Sequence, residues 1–396
     1  MRPLVVHVVT VPWTLHFFRG QGEYLRRRGF RVECVSSAEP LETLNDFSSK
    51  EMVPAHQVSM RRGMAPAHDL VSVFALWRVF RRLRPDIVHS HSPKAGLLGT
   101  LAAKAAGVPV VVVSIFGLVQ MTKTGVSARL LNGLTRLQCR FADRVWCDSH
   151  SMARYLAAAG ICPPGKIVVI GAGSVNGVEA QGEFSPEVQG PWREGLRRQL
   201  DIPVDAMVIG YVGRLNADKG LAELAEAWRL LREAVPSAYL LLVGPAEAMP
   251  VGLRTVVEQL EADPRVRAVG RTAHVAQHLA AMDVFVMPSH REGFGVVNIE
   301  AAAMRLPVVA TRIPGCIDSV TDGVTGTLVP VRDAPALFEA VRAYCDNEDL
   351  RRTHGDAGRR RALSEFRPET VWEGLADLYS GLMTERRPGW TDGTET

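Results

Sequence analysis

Cysteine is scarce and scattered in this chain: six residues in 396 (Cys34, Cys139, Cys147, Cys162, Cys316 and Cys345), with no CxxC pair among them. That spacing argues against a zinc ribbon and against a disulfide framework, and it fits reduced, mostly buried thiols. Long apolar runs are lacking as well. No stretch approaches the ~18 consecutive apolar residues that a bilayer span needs, so the chain is expected not to cross a membrane. The opening LVVHVVTV is apolar, but no small-residue cleavage site follows it, and Arg19 and Glu23 come soon after. It reads as a buried first strand, not a signal peptide, and points to a cytoplasmic protein. A DxD motif and a His/Asp cluster are also missing, which leaves no evident seat for a divalent cation. The expectation is no metal and no cofactor.

What is present fits a soluble globular protein, with 47% hydrophobic and 22% charged residues. A length of 396 residues is too great for one ordinary core and suits two domains. The net charge of +4 hides an asymmetry. Residues 1–190 hold 22 Lys and Arg against 13 Asp and Glu, a balance of +9, which leaves 24 against 29, or −5, for the remainder. No nucleic-acid partner is expected.

The first half alternates β-branched runs, LVVHVVT, RVECVSS, DIVHSHS, VPVVVVS, RVWCDS and KIVVI, with helical stretches such as DLVSVFALWRVFRRL and KAGLLGTLAAKAAG. This is the pattern of β-α units on a parallel sheet. QGEFSPEVQGPW (181–192) has Gly, Pro and charge without apolar periodicity and reads as a linker. The alternation then restarts with MVIGYVGR, YLLLVG, VRAVG, VFVMPS, PVVAT and GTLVP, separated by helices that include 219–234 and 296–305. The expected architecture is α/β, two Rossmann-like doubly wound domains facing a central cleft, where ligands bind at the carboxyl ends of the strands. Domain one is placed at 1–185 and domain two at 186–366. A helix at 367–385 crosses back to the first domain, and 386–396 is a polar, disordered tail.

Two segments carry candidate chemistry. GRLNADKG puts Gly213, Arg214 and Lys219 around a turn at the end of the first strand of domain two, where two cations suit a diphosphate; a solvated loop is the plain alternative. EGFGVVNIE (292–300) lies between the strand VFVMPS and a helix, so the amides of Gly293, Phe294, Gly295 and Val296 lie where a helix N-terminus attracts an anion. Gly293 and Gly295 let the backbone approach a ligand closely. Glu300, one turn inside, can accept from the two hydroxyls of a ribose, and Glu292 is placed for a sugar beyond the diphosphate. Two carboxylates could also serve a glycosidase or a metal, or merely face solvent. A glycosidase pair must flank one bond, whereas here basic residues and a helix start lie between the two acids' targets.

GRLNADKG, PSHREGFGVVNIEAAAMRLPVVAT and IPGCIDSVTDGVTGTLVP resemble the donor domain of the retaining glycosyltransferase family 4, whose members have the GT-B fold. DIVHSHSPKAGLLGTLAAKAAGVP, FADRVWCDSHS and KIVVIGAGSVNGV resemble the branch that builds bacterial polysaccharides and lipid-linked glycans from UDP-sugars. The resemblance implies a donor site of Gly20, Gly213, Arg214, Lys219, Glu292, Gly293, Phe294, Gly295, Val296 and Glu300, with Glu292, Arg214 and Lys219 as the catalytic set. It implies front-face transfer of a hexose or N-acetylhexosamine without a metal or a protein nucleophile. His91, Lys94 and Phe116 would lie on the acceptor side. Many relatives carry histidine where this chain has Phe116.

The implied partners are a nucleotide sugar and a glycan, lipid-linked or small-molecule acceptor. A tailoring enzyme of a soluble metabolite, a nucleotide-sugar epimerase or hydrolase, and a non-catalytic subunit are the rivals; turnover of UDP-sugars alone, or UDP binding without transfer, separates them. Three further segments have weaker readings. GAGSVNG (171–177) mimics a dinucleotide loop, but no helix pattern follows it. His89 and His91 share one strand face without an evident third metal ligand, and His7 reads as a core residue. In DLVSVFALWRVFRRLRP, Val71, Phe74, Trp77 and Val79–Phe80 recur near helical spacing ahead of Arg78, Arg81, Arg82 and Arg84. Such a helix either turns its apolar stripe to the core or lies on an anionic membrane surface, the inner face of the membrane in this case.

Overall fold

The computed structural model describes residues 2–386 except Met64 and Ser92, so the expected tail lies outside the described residues from 387 onward. The described residues divide into two compact units, 2–176 with 369–386, and 177–368.

Among its described residues, the first unit is built on seven parallel strands: β1 (Leu4–Val8), β2 (Arg31–Ser36), β3 (Ala55–Gln57), β4 (Ile87–Ser90), β5 (Val110–Ile115), β6 (Arg144–Cys147) and β7 (Ile167–Val169). Their order is β3-β2-β1-β4-β5-β6-β7. Every residue of β1 is buried, as a parallel strand covered on both faces requires, which is why LVVHV reads as a continuous apolar run. The short strand β3 has the sequence AHQ, which carries no β pattern, and only its pairing with β2 makes it a strand.

The helix Pro368–Arg386 belongs to this unit although it follows the second in sequence. Val371, Leu375, Tyr379, Leu382 and Met383 form a helical stripe that joins the core of β1 and β5.

The second unit has six parallel strands: β8 (Met207–Val212), β9 (Ala238–Val243), β10 (Val266–Gly270), β11 (Val284–Met287), β12 (Val308–Thr311) and β13 (Gly326–Val329). Their order is β10-β9-β8-β11-β12-β13. Residues 181–192 are not a linker. They contain a short helix, Pro186–Gln189, and Phe184 and Ser185 are buried. Arg359, itself buried, donates to the carbonyls of Ala180 and Ala303 at 2.9 and 2.6 Å, which ties this stretch into the second unit. The division therefore falls at residue 177 instead of 186, because main-chain carbonyls satisfy a guanidinium that side-chain polarity does not reveal.

Candidate functional site

In the second unit, the loops that leave β8 and β11 at their carboxyl ends meet. Asn216 starts the first by accepting from the Asp218 amide at 3.2 Å, which folds Ala217–Lys219 into one 3-10 turn. Gly220 follows with φ +67°, and a Cβ there would lie 1.9 Å from the Pro288 carbonyl oxygen. Only glycine lets the two loops touch at this point.

The contact is then fixed by polar pairs. The His290 amide donates to the Asp218 carbonyl at 2.8 Å, and Arg291 Nη2 reaches Asp218 Oδ2 at 2.5 Å. Beside them, Lys219 Nζ stands 2.5 Å from Glu292 Oε1, both side chains mostly buried. Arg214 lies on the other side of the loop, half-exposed, with Nη1 2.8 Å from Glu247 Oε2, an oxygen shared with Asn216 Nδ2 at 2.9 Å. The Tyr211 hydroxyl donates to the Arg214 carbonyl at 2.9 Å, and Gly213 lies directly above it, where a Cβ would meet the phenol oxygen at 2.8 Å.

The helix Val296–Ala303 begins at Gly295, φ +76°, with no side chain capping it. Its approach is pinned from behind. Gly315 passes so close that a Cβ would lie 2.4 Å from the Gly293 carbonyl, and Asn298, buried, donates to Ser319 Oγ at 2.9 Å. The sequence therefore brings Gly213, Arg214, Lys219, Glu292, Gly293, Gly295 and Val296 to one sheet edge, as expected.

Phe294 is different: its ring is buried and packs edge-on against Phe366 at 5.5 Å, so it supports the loop from the core and does not contact a ligand through its side chain. Glu300 is half-buried, and burial, followed by the charge of Glu183, pushes its carboxyl up to about 7. Burial and the Glu292 charge also raise the Tyr211 hydroxyl and the Cys316 thiol, which keeps both protonated and unsuited to act as nucleophiles at neutral pH. The arrangement can hold an anion against two cations and a helix start, with one carboxylate alongside for hydroxyl groups.

In the first unit the expected residues are less uniform. The Gly20 amide donates to Glu51 Oε2 at 2.9 Å, and a Cβ on Gly20 would meet the Trp372 ring at 2.5 Å; the glycine is required by that ring. Lys94 is paired with Asp69 at 2.6 Å. His91 is fully buried, so it does not line an acceptor surface, while half-buried Phe116 stacks on it at 6.0 Å and meets Trp146 edge-on at 5.2 Å.

His7 supplies the third partner that the sequence left unassigned. It pairs with His89 across β1 and β4, and nitrogens of His7, His89 and His91 all lie within 4.8 Å of one another, a set that could hold a metal ion. Hydrogen bonds account for the same atoms. Tyr379 keeps its proton, because burial raises its pKa, and its hydroxyl lies 2.6 Å from His89 Nδ1. With no other acceptor for its hydroxyl among the described residues, the direction that uses this proton has Tyr379 donating to His89, and the tautomers along the chain follow from it. His89 Nε2–H then donates to Ser114 Oγ (2.7 Å), Ser114 to His91 Nδ1 (2.8 Å), and His91 Nε2–H to His7 Nδ1 (2.9 Å). Burial holds all three imidazoles neutral, His7 with a pKa lowered to about 4.

Sequence reasoning missed Glu247, Asp218 and Arg291 beside the cations, and Ser114 and Tyr379 in the histidine chain. Glu247 had a signal, an acid just past the carboxyl end of the strand YLLLV; Tyr379 had none.

Residues 193–361 match the family described as glycosyl transferases group 1, and residues 16–173 match a glycosyl transferase 4-like domain. The chain is 32% identical over 381 residues to the capsular polysaccharide biosynthesis glycosyltransferase CapM of Staphylococcus aureus, covering 96% of this chain and 98% of that one. It is 26% identical over 357 residues to the UDP-Gal:alpha-D-GlcNAc-diphosphoundecaprenol alpha-1,3-galactosyltransferase of Escherichia coli, covering 89% of each. Among solved structures, Anabaena Alr3699/HepE in complex with UDP and glucose superposes with a TM-score of 0.77 at 20% identity, over 96% of this chain and 100% of that one. At that identity the likeness speaks to fold, two Rossmann-like α/β domains of the GT-B type.

Proposed function

The chain belongs to the group 1 glycosyl transferases, and from that membership we propose that it moves a hexose or N-acetylhexosamine from a UDP-sugar to a hydroxyl acceptor with retention of configuration. The acceptor in this reading is a lipid-linked or cell-surface glycan at an anionic membrane face, and the donor is bound without a divalent cation. The names of the relatives support it: one makes capsular polysaccharide, one uses UDP-galactose on a diphosphoundecaprenol-linked sugar, and a structural neighbour binds UDP with glucose.

The observation that carries the reading is the Lys219–Glu292 pair, 2.5 Å apart, beside an uncapped helix start and half-exposed Arg214. An incoming diphosphate competes with Glu292 for Lys219 and with Glu247 for Arg214. The two cations and the Gly293–Val296 amides then balance the charge that grows as the sugar leaves. Glu292, released, accepts from a sugar hydroxyl, and Glu300 accepts from the ribose. The C1–O bond to the diphosphate breaks, a bond from C1 to the acceptor oxygen forms on the same face, and the acceptor proton passes to the departing phosphate oxygen.

The test combines binding with turnover. UDP and the preferred UDP-sugar should raise the melting temperature, since a ligand bound only by the folded state stabilises it. Lys219→Ala and Arg214→Ala should each lower transfer by ~10²-fold or more, and transfer should persist in EDTA. Near-normal turnover in both variants, or a complete loss in EDTA that Mg²⁺ restores, would overturn the site.

A further inference from the structure

Residues 18–21 form a type II turn in the loop that leaves β1 at its carboxyl end. Arg19 has φ −58° and ψ 134°, and Gly20 φ 78° and ψ −26°, a conformation that glycine adopts without strain. The flanks of the turn are anchored. Phe18 is buried against the rings of His7 and His91, at 5.6 and 4.2 Å, and Gln21 is 1% exposed. Between them, Arg19 is exposed.

Polar contacts then fix the backbone on either side of the arginine. The Arg19 carbonyl accepts from Asn176 Nδ2 at 3.0 Å, and the Gly20 amide donates to Glu51 Oε2 at 2.9 Å. Gln21 Nε2 donates to the Val175 carbonyl and to Asn176 Oδ1, at 3.2 and 3.0 Å. Trp372 Nε1 donates to the same Asn176 oxygen at 2.7 Å, while its ring fills the space that a Gly20 Cβ would need. One carboxamide, that of Asn176, thus joins the turn to the helix Pro368–Arg386.

The guanidinium that this turn presents has no carboxylate partner among the described residues. Its Nη2 donates to His16 Nδ1 at 3.1 Å. Burial, followed by the Arg19 charge, lowers the His16 pKa, so the imidazole stays neutral and accepts. Glu51, the acid beside the turn, spends an oxygen on the Gly20 amide. A solvated arginine gains nothing from a backbone pinned at its own carbonyl and at the next amide. A cation placed for an anion does, because less chain freedom is lost on binding when the backbone is already fixed.

Resting on the proposal that the chain uses a nucleotide-sugar donor and a glycan acceptor, we infer that Arg19 binds a phosphate of a substrate, with Asn176 positioning the turn that carries it. The N–H groups left free by His16 match two oxygens of a phosphate, a fork that an ammonium lacks. The diphosphate of the donor and that of a lipid-linked acceptor offer the same oxygens.

The experiment measures binding of UDP and of inorganic pyrophosphate to the full chain by calorimetry, with transfer kinetics alongside. Where the donor supplies the phosphate, Arg19→Gln should weaken UDP and raise the donor KM, each about tenfold or more. Where the acceptor supplies it, UDP binding stays unchanged, and pyrophosphate still bound by a Lys219→Ala protein is lost when Arg19→Gln is added. Arg19→Lys keeps the charge without the fork and should fall between the two. Asn176→Ala leaves the guanidinium in place and should reproduce part of the loss well below its melting temperature; wild-type binding there overturns the positioning role. Unchanged binding of both ligands in Arg19→Gln, with an unchanged kcat/KM, overturns the inference. A loss in Arg19→Gln beside normal UDP binding in Lys219→Ala and Arg214→Ala would keep Arg19 as a phosphate ligand and overturn the donor site of the second unit.

Discussion

Replacing Tyr379 by phenylalanine removes one oxygen from a fully buried ring that lies edge-on to Phe30 at 5.9 Å and to His89 at 5.8 Å. Packing is kept, so the change isolates a hydrogen bond. His89 Nδ1, 2.6 Å from that oxygen, loses its donor in a site closed to water. Leaving a buried polar group unsatisfied costs about 1–3 kcal/mol. For a unit of this size that corresponds to a fall in melting temperature of roughly 2–12 °C. The assay is thermal unfolding followed by far-UV circular dichroism near neutral pH, with metal content measured on the same preparations.

The chain of neutral imidazoles adds a pH signature. His7 is depressed by burial to about 4, below its unfolded value of about 6.5, so the unfolded chain takes up the proton first as pH falls. The stability is full above about pH 6.5 and drains away toward pH 4, by about 3 kcal/mol from His7 alone. His89 and His91 shift in the same direction. A Tyr379→Phe protein that melts with the wild type, together with a pH dependence of stability between 7 and 5 that His7→Gln leaves unchanged, would refute the hydrogen-bonded chain. One equivalent of zinc, lost on changing His7 or His91, would show that the trio holds a metal instead.

Above about pH 8, where its carboxyl is ionised, Glu300→Gln should raise the donor KM about tenfold, the equivalent of one charge-assisted hydrogen bond, with little change in kcat; an unchanged KM removes Glu300 from the ribose site. Phe116→His should redistribute preference among UDP-sugars by adding a hydrogen-bonding group; an identical donor profile, read as relative kcat/KM, places Phe116 outside the site. Gly220→Ala should lower stability by more than about 2 kcal/mol, because it combines a left-handed backbone with a Cβ inside the Pro288 carbonyl. Stability equal to wild type in denaturant titration would mean that the two loops do not need their contact.

Much of the fold was legible because strands of parallel sheets are buried on both faces and so announce themselves as apolar runs between helical stretches. Five of the six strands of the second unit were readable in this way, while β10, VRAVG, lies at the sheet edge with only Val266 buried and was placed by the spacing of its neighbours. The three-residue strand β3 was not, since its residues have no β pattern and its backbone is ordered by β2 alone. In the site, Arg214, Lys219 and the glutamates stood out because glycine-rich turns after strands confine charge to the sheet edge. Glu247, Asp218 and Arg291 stayed hidden, since a charged side chain in a loop reads the same whether it faces solvent or a partner.

The sequence by itself determined the alternation of strand and helix, six scattered cysteines without a CxxC pair, the basic cast of the first half and the positions where only glycine can turn. These depend on residue type and local spacing, which are properties of the chain. What only the tertiary structure decided are the joins across distance: Lys219 to Glu292 over 73 residues, Tyr379 to His89 over 290, and the side of each amphipathic helix that meets water. Val71 and Phe80 have similar local patterns, yet one is exposed and the other is in the core. The neighbours packed on each face set that difference, and a helical period records which residues share a face but not which face is covered.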